Sequence, residues 1–243
     1  MSTPKIIAVI PARYASTRFP GKAIKLLKGK PIIQWVVEGT QKSKLIEKIY
    51  VATDNEKIAE VCRQINVEVL MTSPDCSTGT DRIYEATKNL SFDVVLNIQG
   101  DEPLIDESYI NPLAQSFLNN SKLDMATLAH PLAAEDLENK NAVKVITNSF
   151  GEAIYFSRFA IPYSREKDSH CSASLKHIGL YGYSKSFLQK FCTSPQALIE
   201  KYESLEQLRA LYLGAKIKVI EVEKPTYGVD TLEDLQKLEA LLK

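Results

Sequence analysis

Four short apolar runs rich in β-branched residues, with helix-like segments between them, fall within the first hundred residues. "KIIAVI" (5–10) ends at Pro11, and "PIIQWVVEGTQKS" (31–43) sets Ile33, Val36 and Val37 at helical spacing behind Pro31 in a first turn. "KIYVAT" (48–53) is the second strand, and Asp54 is expected to cap the helix "NEKIAEVCRQI". "VEVLM" (67–71) and "DVVLNI" (93–98) enclose the helix "TDRIYEATKNL". Strands apolar on both faces, joined by helices, require right-handed βαβ units and a largely parallel sheet.

The second half is richer in strands. "MATLAH" (125–130), "AVKVIT" (142–147), "EAIYFS" (152–157) and "LKHIGLYGYS" (175–184) have little helix between them. Helices near 185–192, 195–201 and 204–213, a strand at 216–222 and a last helix from Thr231 close the chain. The polar, turn-rich stretch 158–174 is the expected mobile loop. The expectation is one α/β domain with a strand-rich extension.

Charge matters only locally. Thirty basic residues balance thirty acidic ones, which gives no global field for nucleic acid or an anionic membrane. Glu38 is nevertheless the first acidic residue, so the N-terminal segment carries positive charge alone. Four cysteines without CxxC or metal-ligand spacing read as reduced thiols. With no apolar run of membrane length and no signal-peptide pattern, the expected location is the cytoplasm.

In an open parallel sheet, ligands bind beyond the carboxyl ends of the strands. "IPARYASTRFPGK" follows the first strand with Arg13, Arg18 and Lys22, a turn shaped by Pro20 and Gly21, and no carboxylate. Guanidinium and ammonium groups there suit phosphate oxygens. The run is not a Walker A loop, since Ser16 stands where the first Gly would be and Ala23 follows the Lys, and no G-x-G occurs anywhere in the chain. "QGDEP" follows the strand at 93–98, and Asp230 precedes the last helix. Asp101 reads either as a Mg²⁺ ligand or as a turn residue, and Asp230 either as a ligand or as a cap. Together with the cationic loop they fit Mg²⁺-assisted attack on a nucleoside triphosphate. Thr78, Gly79 and Thr80 stand at a helix N-terminus, where they can meet an anion or simply cap the helix; capping leaves Arg82 unexplained.

In "LKHIGLYGY", alternation puts His177, Gly179, Tyr181 and Tyr183 on one face and Ile178 and Leu180 on the other. His177 reads as a ligand of a polyhydroxylated acid or as a structural polar residue. Arg158 offers a fork for a carboxylate. From spacing alone, Glu206 pairs with Arg209.

"IPARYASTRFPGK", "YVATD", "GTDR", "NIQGDEP", "MATL", "AVKV", "YFSR", "HIGLYGY", "LEQLR" and "GVDT", in this order, resemble the 3-deoxy-manno-octulosonate (Kdo) cytidylyltransferases over nearly the whole chain. The resemblance implies a Rossmann-like nucleotidyltransferase fold with a largely parallel mixed sheet, a homodimer, Mg²⁺ as cofactor, and CMP transfer from CTP to Kdo for lipopolysaccharide assembly. It divides the single domain into a nucleotide part (about 1–124 and 214–243) and a sugar and dimer part (about 125–213). By resemblance Ala12, Arg13, Ser16, Lys22, Thr78, Gly79, Arg82 and Gln99 meet the nucleotide, with Arg13, Lys22 and Asp101 catalytic. Asp101 and Asp230 ligate the metal. Gln99, Arg158, His177, Tyr181, Glu206 and Gln207 line the site for an acidic eight-carbon sugar. Cys76 and Ser77 stand where many members carry His and Gln or Ala. The alternatives are the same reaction on the 8-amino analogue of Kdo, or a non-catalytic nucleotide-sugar sensor.

Overall fold

The computed structural model describes residues 3–15, 19–165 and 173–242. In chain order its elements are β1 (Ile6–Ala12), β2 (Leu26–Leu27), β3 (Lys30–Pro31), α1 (Ile32–Gln41), β4 (Lys48–Thr53), α2 (Glu56–Gln64), β5 (Glu68–Met71), α3 (Gly79–Thr87), β6 (Val94–Asn97) and α4 (Glu107–Asn119). They continue with β7 (Met125–Pro131), β8 (Lys144–Thr147), β9 (Ala153–Ser157), β10 (Leu175–Ser184), α5 (Lys185–Thr193), α6 (Leu198–Glu203), α7 (Gln207–Tyr212), β11 (Ile217–Glu221) and α8 (Leu232–Leu241).

The main sheet runs β11-β7-β10-β6-β1-β4-β5. β5, β4, β1 and β6 are mutually parallel, as the βαβ reading requires. β10 enters antiparallel between β6 and β7, and β11 lies parallel to β7. β8 and β9 extend the sheet as the strand-rich addition. Alternation along β1 shows why its residues had to be apolar on both sides. Ile6, Ala8 and Ile10 enter a core with α1, α2 and α4, while Ile7 and Val9 enter one with α3, α5 and α7. Each face is closed by helices, so neither can tolerate a charge. A smaller cluster of Leu27, Ile32, Val229, Leu235 and Leu238 pins α8 beside the β2–β3 hairpin.

One local expectation is corrected, and two features lie outside what the sequence showed. Asn55, not Asp54, caps α2, accepting from Lys57 N at 3.0 Å; Asp54 is turned to another partner. α4 carries no expectation from sequence, because Pro112 interrupts its pattern. Pro112 lies in the N-terminal half of α4, whose Asp106 cap and buried Tyr109, Ile110, Leu113 and Phe117 hold it in place. In β10 the register shifts between Ile178 and Tyr181, though the expected split of faces survives: Ile178 and Leu180 join the first core, Tyr181 and Tyr183 the second.

Candidate active site

The chain leaves β1 toward β4 on one side and later returns to β6 on the other. The gap beyond the β1 and β6 ends is therefore the sheet's topological switch point. Gly100 lets the two ends close up: a Cβ there would stand 2.8 Å from the Pro11 carbonyl oxygen. The cleft they form is lined by Arg13 and Lys22 from the first loop, Thr78 and Gly79 from the start of α3, and Gln99 and Asp101 from the β6 end. Ala12, Arg82, Cys76 and Ser77 also face it. Ser16 and Arg18 lie outside the described residues.

Lys22 begins a single 3-10 turn directly after Gly21, whose φ of 66° is a left-handed conformation suited to glycine. The lysine ammonium donates to Asp101 Oδ2, and to Asp230 Oδ1 at 2.8 Å. Burial alone would lower the Lys22 pKa; the two carboxylates outweigh it and hold the group above the ordinary lysine value. Val229 N donates to the Asp101 carbonyl at 2.8 Å, which ties the loop bearing Asp230 to the β6 end. Thr231, not Asp230, caps α8. Asp230 is thus free of the capping role that the sequence left open, and its carboxylate faces the cleft's lysine.

Asp101 and Asp230 fit a small divalent cation by their chemistry: two hard oxygen donors converge on one point, where an ammonium already stands in for a cation. Mg²⁺ accepts such a pair, with phosphate and water completing its shell. Beside them Glu102, whose role the sequence does not show, is half-buried, with its Oε2 buried and lacking a hydrogen-bond partner. Burial first, and the Asp101 charge second, push its carboxyl up to about 8.

At the start of α3, Thr78 and Asp81 form a capping box. Arg82, unexplained from sequence, is buried and pairs with Asp54 Oδ2 at 2.8 Å while also donating to Thr72 Oγ1. Its guanidinium braces the cleft wall between the β4 end and α3. No spacing rule could reveal a partner on another element; the signal in the sequence is an Arg in a first helical turn that capping leaves unexplained.

Gln99 connects this cleft to β10: its Nε2 donates to the Gly179 carbonyl at 3.0 Å. Next to it His177 packs edge-on against Phe156, with ring centroids 5.1 Å apart, and lies 5.4 Å from Tyr181. Thr127 Oγ1 lies 2.7 Å from the Leu180 carbonyl and 3.0 Å from His177 Nε2. The single hydroxyl proton goes to the carbonyl, so the oxygen accepts from Nε2–H and leaves Nδ1 as an acceptor. Burial pushes the His177 pKa down to about 3 and raises that of Tyr181.

Glu206 does not pair with Arg209. Arg209 forks onto Glu200, at 2.8 and 2.6 Å, in a buried pair. Glu206 instead faces the hydroxyls of Thr80 and Thr78, and burial raises its pKa. Gln207 is buried beside it with Nε2 unpartnered. The structure therefore gathers Gln99, His177, Tyr181 and Glu206 next to the cleft. The Arg158 guanidinium donates to the carbonyls of Glu203, Lys140 and Ser204.

Phosphate-seeking cations opposite two carboxylates, at the switch point of a largely parallel sheet, define a nucleotidyltransferase, and residues 7–217 match the family described as cytidylyltransferase. A 3-deoxy-manno-octulosonate cytidylyltransferase from Bdellovibrio bacteriovorus is 57% identical over 241 residues, covering 98% of each chain. Another so named, from Trichlorobacter lovleyi, is 46% identical over 98% of this chain and 99% of its own. The structure of a CMP:2-keto-3-deoxy-manno-octonic acid synthetase complexed with CTP superposes with a TM-score of 0.93 at 38% identity, covering 98% of both chains. A 4-diphosphocytidyl-2C-methyl-D-erythritol synthase from Anaerococcus prevotii, 17% identical with a TM-score of 0.66, shares the fold. The chain belongs to the 3-deoxy-manno-octulosonate cytidylyltransferase family.

Proposed function

We propose that the protein transfers CMP from CTP to Kdo, with the anomeric hydroxyl attacking the α-phosphorus in line and pyrophosphate leaving. The observation that carries this reading is the meeting of Lys22, Asp101 and Asp230 beside a cleft floored by the N-terminus of α3. Arg13 and Lys22 neutralise the triphosphate and the departing pyrophosphate. Asp101 and Asp230 would hold Mg²⁺, which when bound would supply Lewis-acid stabilisation of the phosphate charge. Gln99, on the boundary, orients the sugar relative to the nucleotide, and neutral His177 accepts a hydrogen bond from a sugar hydroxyl at Nδ1. Because His177 stays neutral, it orients rather than carries charge. Lipopolysaccharide assembly as the destination of the product, a cytoplasmic location and a homodimeric state complete the reading. Among the described residues no helix is long and apolar enough to cross a membrane.

The test is pyrophosphate release with CTP and Mg²⁺, comparing Kdo, its 8-amino analogue and sialic acid. Turnover fastest with Kdo is expected. Faster turnover of the 8-amino sugar would reassign the substrate, and no turnover with any of the three would leave a nucleotide-sugar binder in place of an enzyme.

A further inference from the structure

Lys22 and a divalent cation need the same place. The ammonium donates to Asp101 Oδ2 and Asp230 Oδ1 at once, so it sits between the two oxygens that a metal held by both carboxylates would bridge. A cation entering with Lys22 still in position would be repelled by it and would find those oxygens already engaged.

We infer that Lys22 is a resident counter-ion that keeps the metal out until nucleotide binds, so that CTP and the metal enter cooperatively. This rests on the reading of Asp101 and Asp230 as metal ligands. Three features make the exchange physically easy. Lys22 follows the left-handed Gly21 in a turn closed by Gly21 N to the Tyr14 carbonyl at 2.9 Å, so the backbone is fixed while the four-carbon side chain can swing. The same lysine lines the cleft with Arg13, where triphosphate oxygens offer it new acceptors. A divalent cation attracts the two carboxylates more strongly than a single ammonium does, once that ammonium has moved to phosphate. Lys22 then serves in turn as the partner of the carboxylates and of the nucleotide. Binding linkage makes the coupling reciprocal: whatever factor CTP contributes to metal affinity, metal contributes to CTP affinity.

The experiment measures Mn²⁺ binding by the intact protein, from the electron paramagnetic resonance signal of free Mn²⁺, without nucleotide and with saturating CTP, corrected for metal held by free nucleotide. Wild type should bind Mn²⁺ weakly alone and about tenfold or more tightly with CTP, within the usual range of such couplings. Lys22→Met should bind Mn²⁺ without nucleotide about tenfold or more tightly than wild type. Lys22→Arg, which restores the cation, should return to the weak affinity. Equal nucleotide-free affinities of wild type and Lys22→Met overturn the inference, as does a gain in Lys22→Arg equal to that in Lys22→Met. Asp101→Asn and Asp230→Asn separate the two levels. If Mn²⁺ binding in the CTP complex survives both, the metal assignment itself falls; if it is lost while Lys22→Met gains nothing, only the counter-ion role falls.

Discussion

His177 shows how a single side chain is tuned by what surrounds it. Phe156 lies against its ring, Thr127 takes its Nε2–H, and burial lowers its pKa from the ordinary 6.5 to about 3. The consequence for stability has a definite sign. Between those values the unfolded chain binds a proton that the native protein does not, so stability is fully present above about pH 6.5 and is lost as pH falls toward 3. For one group the slope reaches about 1.4 kcal/mol per pH unit. Replacing His177 by Asn removes this titration. Urea unfolding from about pH 6 down to about pH 4 should then give a flatter stability curve for His177→Asn than for wild type, since carboxylate contributions cancel between the two. Parallel curves would show that the imidazole is solvated and that burial does not set its charge. The lysine at the β1 end is tuned oppositely, toward permanent charge, because its carboxylates outweigh its burial.

Elements differ in how much of their reason for existing lies within their own residues. β1, β4, β5 and β6 are legible because each is a local apolar run between polar turns, and helices bounded by Thr78 or Thr231 are legible because a capping box is a local signal. α4 is not, since what overrides Pro112 is a core contributed by other segments. The same contrast runs through the site. Lys22, Asp101 and Asp230 could be nominated from their places at strand and helix ends, but Arg82 with Asp54 and Arg209 with Glu200 depend on contacts that no helical spacing encodes. α7 makes the energetic case. Arg209 and Glu200 are both buried, and they fix α7 against α6 just after Glu206 and Gln207. Removing one member of a buried pair strands the other, so Arg209→Met should lower unfolding free energy by roughly 3–5 kcal/mol. The double variant Arg209→Met, Glu200→Leu should recover most of that loss, because no charge is then left buried. A single variant as stable as wild type in urea titrations would show that the pair contributes no net stability.

At the scale of the whole molecule, nucleotide and sugar regions are one continuous sheet, with Gln99 of the β6 end bonded to the β10 backbone across the boundary. The far side of the sugar region ends differently. β9 hydrogen-bonds to β8, and on and beside it Phe150, Ile154 and Phe159 are 75%, 55% and 67% exposed. Tyr202 and Tyr212, from the neighbouring helices α6 and α7, are 83% and 69% exposed. Isolated apolar side chains at a surface need no partner, but several along an edge strand invite one. A second copy of the chain is the partner consistent with the homodimer proposed above, and an interface there would cover these side chains without obstructing the cleft at the strand ends. Sedimentation equilibrium at micromolar protein should therefore report a dimer for wild type. Ile154→Asp, which places a charge in the middle of the edge, should weaken association about a hundredfold or more, the effect of stranding a carboxylate at a buried interface. Circular dichroism of the variant should match wild type, since Ile154 contributes little to the monomer's core. A wild-type monomer, or a dimer indifferent to Ile154→Asp, would move the interface elsewhere and leave this edge to be protected by its twist and its flanking charges alone.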